Sequence, residues 1–94
     1  MKELLGRIVR SKAGRDKDRY FIILKCFDEE YVTIADGDLR MIECPKKKKL
    51  KHLMFTDDYL YQNGVKIIGN ENIGNSKLRR YLKQYVEQLE NRQV

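Results

Sequence analysis

The sequence contains few of the residues on which metal sites and disulfide frameworks depend. It has two cysteines, one histidine, one proline and no tryptophan among its 94 residues. Cys26 and Cys44 are too far apart for a CxxC pair, and His52 alone cannot complete the four-ligand set of a structural zinc site. We therefore expect no metal and no disulfide, with Cys26 reduced and packed on an apolar strand.

Long apolar segments and catalytic motifs are also absent. No run approaches the roughly 20 apolar residues that a membrane-spanning helix needs, and residues 1–5 do not have the form of a signal peptide. We expect a cytoplasmic protein without membrane attachment. There is no glycine-rich phosphate loop and no catalytic triad, so we expect no enzyme activity, no cofactor and no small-molecule substrate.

Positive charge is what the sequence has in excess. Twenty Lys and Arg against 14 Asp and Glu give a formal net charge of +6, and the pI is near 9.4. Residues 7–19 contain six bases and two acids, for a net +4, and residues 40–52 contain six bases and one acid, for a net +5. Like charges gathered on one surface repel each other unless a polyanion offsets them, so these segments point to nucleic acid as the partner.

Apolar patterning in the first 55 residues predicts short strands joined by tight turns. The predicted strands are residues 6–12, 20–27, 31–35, 39–43 and 50–55. The second strand is apolar on both of its alternating faces, so we expect both faces to be covered. Asp36 and Gly37 predict a hairpin, and the lysine run after Pro45 predicts a tethered loop. We expect residues 1–55 to form a small, curled antiparallel barrel.

The C-terminal part predicts a single amphipathic helix over residues 75–92, after a polar connecting segment at residues 56–74. Asn75 or Ser76 can cap this helix. Apolar side chains then recur at helical spacing: Leu78, Leu82, Tyr85 and Leu89, with Tyr81 and Val86 widening the stripe. This stripe would cover the second apolar face of residues 20–27. The predicted fold class is therefore mainly β, with a C-terminal α-helix packed on the barrel.

The basic N-terminal half also resembles a known family. GRIVRSKAGRDKDRYFIIL, followed by YVTIADGDLR, resembles a KOW motif, in which a basic strand and a glycine-bearing basic loop precede an apolar strand. The continuation DGDLRMIECPKKKKLKHL is similar to ribosomal protein family fourteen-e of the archaeal and eukaryotic large subunit, and more closely to short bacterial KOW-domain RNA-binding proteins grouped with it. GNSKLRRYL fits the start of their helix. Asp18 departs from the pattern, because these proteins often have glycine there.

The resemblance implies an SH3-like β-barrel whose loops contact ribosomal RNA. The residues that it carries over as RNA-binding are Arg10, Lys12, Gly14, Arg15, Lys17, Arg19, Arg40, Lys46, Lys47, Lys48, Lys49, Lys51 and His52, while Asp36 and Gly37 match at the hairpin. Long cationic side chains on a rigid rim neutralise phosphates and carry little sequence information. The function that the resemblance implies is ribosome-associated RNA binding in translation. We expect the protein to be a monomer when free, with ribosomal proteins as further partners.

Other interpretations of the same residues remain open. A small barrel can also bind a protein, so the basic rim or the C-terminal helix could dock an acidic partner. Tyr20, Phe21 and Tyr31 could stack on bases, although their strand positions favour core packing. Asp16 and Asp18 are expected to stay ionised among so many bases and to take no part in acid–base chemistry.

Overall fold

The computed structural model describes residues 3–62, 65–66 and 73–92, and its main element is an antiparallel sheet. The five strands of this sheet are β1 (Arg7–Ser11), β2 (Tyr20–Cys26), β3 (Tyr31–Ala35), β4 (Lys46–Lys49) and β5 (Leu53–Tyr59). They lie in the order β4-β3-β2-β1-β5, so the sheet is open, with β4 and β5 at its edges. A short 3-10 helix, Leu50–His52, connects these two edge strands.

The rest of the described chain adds a small ribbon and a helix. Strands β6 (Tyr61–Gln62) and β7 (Val65–Lys66) pair with each other, and α1 spans Asn75–Arg92. The prediction of a mainly β protein with one C-terminal helix is confirmed. Among the described residues, no helix combines the length and the apolar character needed to cross a membrane.

Strand β2 is covered on both faces as far as Leu24, as its alternating apolar residues predict. The predicted cover is wrong at its end, where Cys26 and the following Phe27 are exposed. Phe21 and Ile23 are fully buried on one face, where they form a cluster with Val9, Val32, Ile34 and Leu53. Ile22 lies on the other face, in a cluster that includes Leu78 and Leu82 of α1. The helix therefore covers the second face of β2, and the expected role of its apolar stripe is confirmed.

The start of α1 is fixed to the loop that follows β3. The Oδ1 atom of Asn75 accepts a hydrogen bond from the backbone N–H of Ile42 at 2.8 Å, and its Nδ2 donates to the carboxylate of Glu43. Gly37 adopts a left-handed φ of 76° and lies directly against the backbone carbonyl of Asn75. A side chain at position 37 would collide with that carbonyl, so glycine is required for the helix to dock here.

Two predictions for the segment after β3 are wrong. Residues 39–43 do not form a strand, because the Oδ1 atom of Asp36 accepts hydrogen bonds from the backbone N–H groups of Asp38 and Arg40 and closes a loop. The lysine run is not a loop but strand β4, which pairs with β3.

Two more predictions differ at the ends of strands. Cys26 is exposed rather than packed, because the apolar cluster beneath α1 includes Leu24 but not the end of β2. Strand β5 continues to Tyr59, beyond residue 55, where we predicted that the last strand and the barrel end. Residues 63–64 and 67–72 of the predicted connecting segment lie outside the described residues.

Candidate nucleic-acid interface

The two basic segments of the sequence meet at one edge of the sheet. The first segment includes the loop between β1 and β2, residues 12–19, which we call the first loop. The backbone carbonyl of Ala13 accepts a hydrogen bond from Lys48 Nζ at 2.8 Å, and the backbone N–H of Lys12 donates to the carbonyl of His52 at 2.8 Å. The first loop, β4 and the 3-10 helix therefore form one surface, which we call the basic edge.

Asp16 is the residue that holds this edge together. Its side chain is buried, and its Oδ1 atom accepts hydrogen bonds from Ser11 Oγ at 2.7 Å and Lys48 Nζ at 3.0 Å. Its Oδ2 atom accepts from Lys46 Nζ at 3.0 Å. Burial alone would raise the pKa of Asp16, but the hydrogen bonds from Ser11, Lys48 and Lys46 outweigh it and hold that pKa well below its usual range. Asp16 therefore stays ionised, as expected, but its structural role was missed.

The lysines of β4 divide into two pairs because alternate side chains of a strand point to opposite faces. Lys46 and Lys48 point to Asp16, and Lys48 is only 7% exposed. Lys47 and Lys49 point away from Asp16, and their Nζ atoms lie 4.7 and 5.7 Å from the ring centroid of Tyr31. The charge of the first pair is thus largely offset within the protein, which the charge count alone did not reveal.

Four other cations of the basic edge face solvent. Lys12, Arg15, Lys17 and Lys51 are exposed, and none of them has a carboxylate within 4.0 Å in the described part of the chain. These four side chains are therefore the ones best placed to meet the phosphates of a polyanion.

The remaining predicted site residues have other surroundings. Arg10 is partly buried, with its guanidinium 3.3 Å from the Met54 sulfur, and His52 is also partly buried. Gly14 is exposed in the first loop, where it takes a left-handed φ of 87° beside Lys48 Nζ. Arg10 lies on β1, outside the basic edge, whereas Gly14 and His52 belong to it.

Arg19 connects the first loop to the loop that follows β3. Its guanidinium lies 3.0 Å from the buried carboxylate of Asp36 and 3.1 Å from that of Asp38. The hydrogen bond to Asp36 raises the pKa of Arg19 above its ordinary value. Arg40 is exposed on the loop that Arg19 holds in this way. Arg19 therefore acts mainly as a structural residue, although the sequence favoured it as a phosphate ligand.

Asp18 adopts the backbone conformation that glycine most readily provides. Its φ is 72°, and its backbone N–H donates to the carbonyl of Ser11 at 2.8 Å. Aspartate tolerates the left-handed region better than most residues do. Asp18 thus takes a glycine-like backbone at this position of the first loop.

Comparison with known proteins identifies no family for this chain. A scan against known protein families finds no match for this chain, and a search of curated proteins finds no relative.

Proposed function

We propose that this chain binds structured RNA through the basic edge. One observation carries the proposal: Asp16 ties the first loop to β4, so cations that are about thirty residues apart in the sequence lie on one surface. The internal ion pairs fix the position of this surface, and four exposed cations around it have no carboxylate of the described residues within 4.0 Å. A rigid group of cations of this kind neutralises backbone phosphates and releases their counterions.

RNA is the preferred polyanion for two reasons. The basic edge consists of a loop, a strand and a 3-10 helix, so it presents no α-helix that could enter a DNA major groove. Folded RNA is recognised largely by shape and phosphate position, which a basic loop and strand provide. The resemblance to ribosomal family fourteen-e makes ribosomal RNA the first candidate and the cytoplasm the expected location.

The architecture that accompanies this proposal is an SH3-like barrel of the KOW type. The five short antiparallel strands are compatible with it, and so is the basic loop between the first two strands. In such a barrel the loops at one rim would contact RNA while the helix stabilises the opposite face of β2.

The test is a titration of a structured ribosomal RNA hairpin at several salt concentrations. With four phosphate contacts, log K against log salt should have a slope of roughly −3 to −4. A flat response would overturn the proposal. Co-sedimentation with ribosomes should be abolished by nuclease, and co-sedimentation that survives nuclease would instead assign the basic edge to an acidic protein partner.

A further inference from the structure

Part of the sheet face that α1 packs against continues beyond the apolar cluster and presents aromatic and basic side chains. Directly paired residues of an antiparallel sheet point to the same face. On this face Lys25 pairs with Thr33, and Thr33 pairs with Lys47. In the next row, the backbone N–H of Phe27 donates to the carbonyl of Tyr31, and Tyr31 pairs with Lys49. We call these six residues the aromatic-lysine platform.

The platform contains an aromatic ring that the protein leaves exposed. Phe27 is 58% exposed, the largest value among the large hydrophobic side chains of the described residues. Lys47 Nζ lies 3.8 Å from the centroid of the Phe27 ring and also contacts the Tyr31 ring. Lys47 therefore covers one face of the Phe27 ring. The opposite face offers a stacking partner for a base, and the ammonium group offers a cation for its phosphate.

We propose that the platform stacks an unpaired nucleobase of the bound RNA, with Phe27 as the stacking residue and Lys47 as the phosphate contact. This inference rests on the proposed function, because it specifies which RNA the protein prefers. Strand β4 joins the two surfaces, since Lys46 and Lys48 face Asp16 while Lys47 and Lys49 belong to the platform. An RNA strand that leaves the basic edge therefore reaches the platform by crossing one β-strand.

The hairpin next to the platform carries acids that offset the charge of the platform's lysines. The hairpin between β2 and β3 carries three acids, Asp28, Glu29 and Glu30, which are as many as the lysines of the platform. Asp28 also accepts hydrogen bonds from the backbone N–H groups of Glu30 and Tyr31, which fixes the turn. Because Lys47 remains in place when the Phe27 ring is removed, we expect the ring to add affinity through stacking, with little effect on the salt dependence of binding.

The experiment compares two fluorescein-labelled probes, a ten-nucleotide uridine RNA and an abasic decamer with the same phosphates. We expect Phe27→Ala to weaken binding of the uridine RNA by roughly 5- to 150-fold, the usual range for loss of one stacked base. Binding of the abasic decamer and the salt slope should not change. Leu39→Ala is the matched control, because Leu39 is 52% exposed and lies outside the platform.

Three results would overturn the inference. They are equal affinity of the wild-type chain for both probes, an unchanged affinity of Phe27→Ala for the uridine RNA, and an equal loss on both probes. Circular dichroism should show that Phe27→Ala stays folded, and in the wild-type chain the Phe27 ring protons should shift with the uridine RNA only. Failure of the proposed function would instead remove the salt dependence of hairpin binding, which does not require the Phe27 ring.

Discussion

Asp16 Oδ1 and Lys48 Nζ lie 3.0 Å apart, and both side chains are almost completely buried. These residues are separated by 32 positions in the sequence. Their ion pair joins the first loop to β4. Lys46 Nζ forms a second ion pair with Oδ2, the other carboxylate oxygen of Asp16. The position of the exposed cations in the first loop therefore depends on a buried acid.

Replacing Asp16 should destabilise the protein. In Asp16→Asn, Lys48 loses its counterion while it remains buried, and loss of one partner of a buried pair costs about 3 kcal/mol. Thermal or urea unfolding measures this change. Asp18→Asn is the matched control, because Asp18 is exposed in the same loop and asparagine tolerates its left-handed backbone. Equal stability of the two variants would contradict the structural role of Asp16.

RNA binding by the same variant should also weaken. Removal of an acid from a basic surface normally strengthens the binding of a polyanion. In Asp16→Asn we expect weaker binding of the ribosomal RNA hairpin, because the first loop and β4 are no longer held together. Asp18→Asn should bind equally well or slightly better. Tighter binding by Asp16→Asn would show that the position of the loop does not control affinity.

The low pKa of Asp16 predicts how stability changes in acid. The ionised form is favoured by folding, so its contribution is fully present above the ordinary pKa of 3.8 and is lost as the pH falls through the lower pKa of the folded state. Unfolding free energies measured from neutral pH down to acid should therefore fall in the wild type. We expect a smaller fall in Asp16→Asn, and identical pH profiles would contradict the assignment.

The raised pKa of Tyr85 predicts that the protein loses stability in alkali. Its hydroxyl donates to Asp58 Oδ2 at 2.6 Å, and burial together with this hydrogen bond raises the pKa of Tyr85 to about 12. The neutral phenol contributes stability that is full below pH 10.0 and is lost as the pH rises through about 12. A tyrosinate absorbance titration should show a late ionisation that is missing in Tyr85→Phe. Persistence of this late ionisation in Tyr85→Phe would contradict the contact with Asp58.

Gly37 tests how α1 is attached to the sheet. Alanine at this position requires a left-handed φ and collides with the backbone carbonyl of Asn75, so Gly37→Ala should cost at least about 2 kcal/mol. Gly74→Ala is the control, because a Cβ at Gly74 meets no described atom within 4 Å. We expect it to cost less than about 1 kcal/mol, since Gly74 is at the N-cap of α1, where alanine is somewhat less favourable than glycine. Similar losses in both variants would argue against this docking contact.

Local periodicity explains which parts of the fold could be predicted from the sequence. The apolar alternation of β2 and the helical spacing from Leu78 onward are properties of neighbouring residues, and both predictions are confirmed. The strand prediction for residues 39–43 is wrong because the Asp36 side chain competes for backbone N–H groups, which apolar spacing does not show.

The candidate site could be predicted only in part, because its charges are arranged by contacts distant in the sequence. Composition identified both basic segments, and the structure brings them together. A run of four lysines has no strand signal of its own, and β4 depends on pairing with β3 and on the distant carboxylate of Asp16. Phe27 was expected to be covered. The cluster beneath α1 does not extend to Phe27, and its side chain is exposed.

The most direct measurement of the central proposal is the salt dependence of RNA binding in two variants with equal net charge. The first variant combines Lys12→Gln, Arg15→Gln and Lys17→Gln in the first loop. The control variant replaces the exposed α1 residues Lys77, Lys83 and Arg92 by glutamine.

With the ribosomal RNA hairpin, the loop variant should lose roughly 2 to 3 units of the slope of log K against log salt. The control variant should keep the wild-type slope. Equal slopes in the two variants would contradict the assignment of RNA binding to the basic edge.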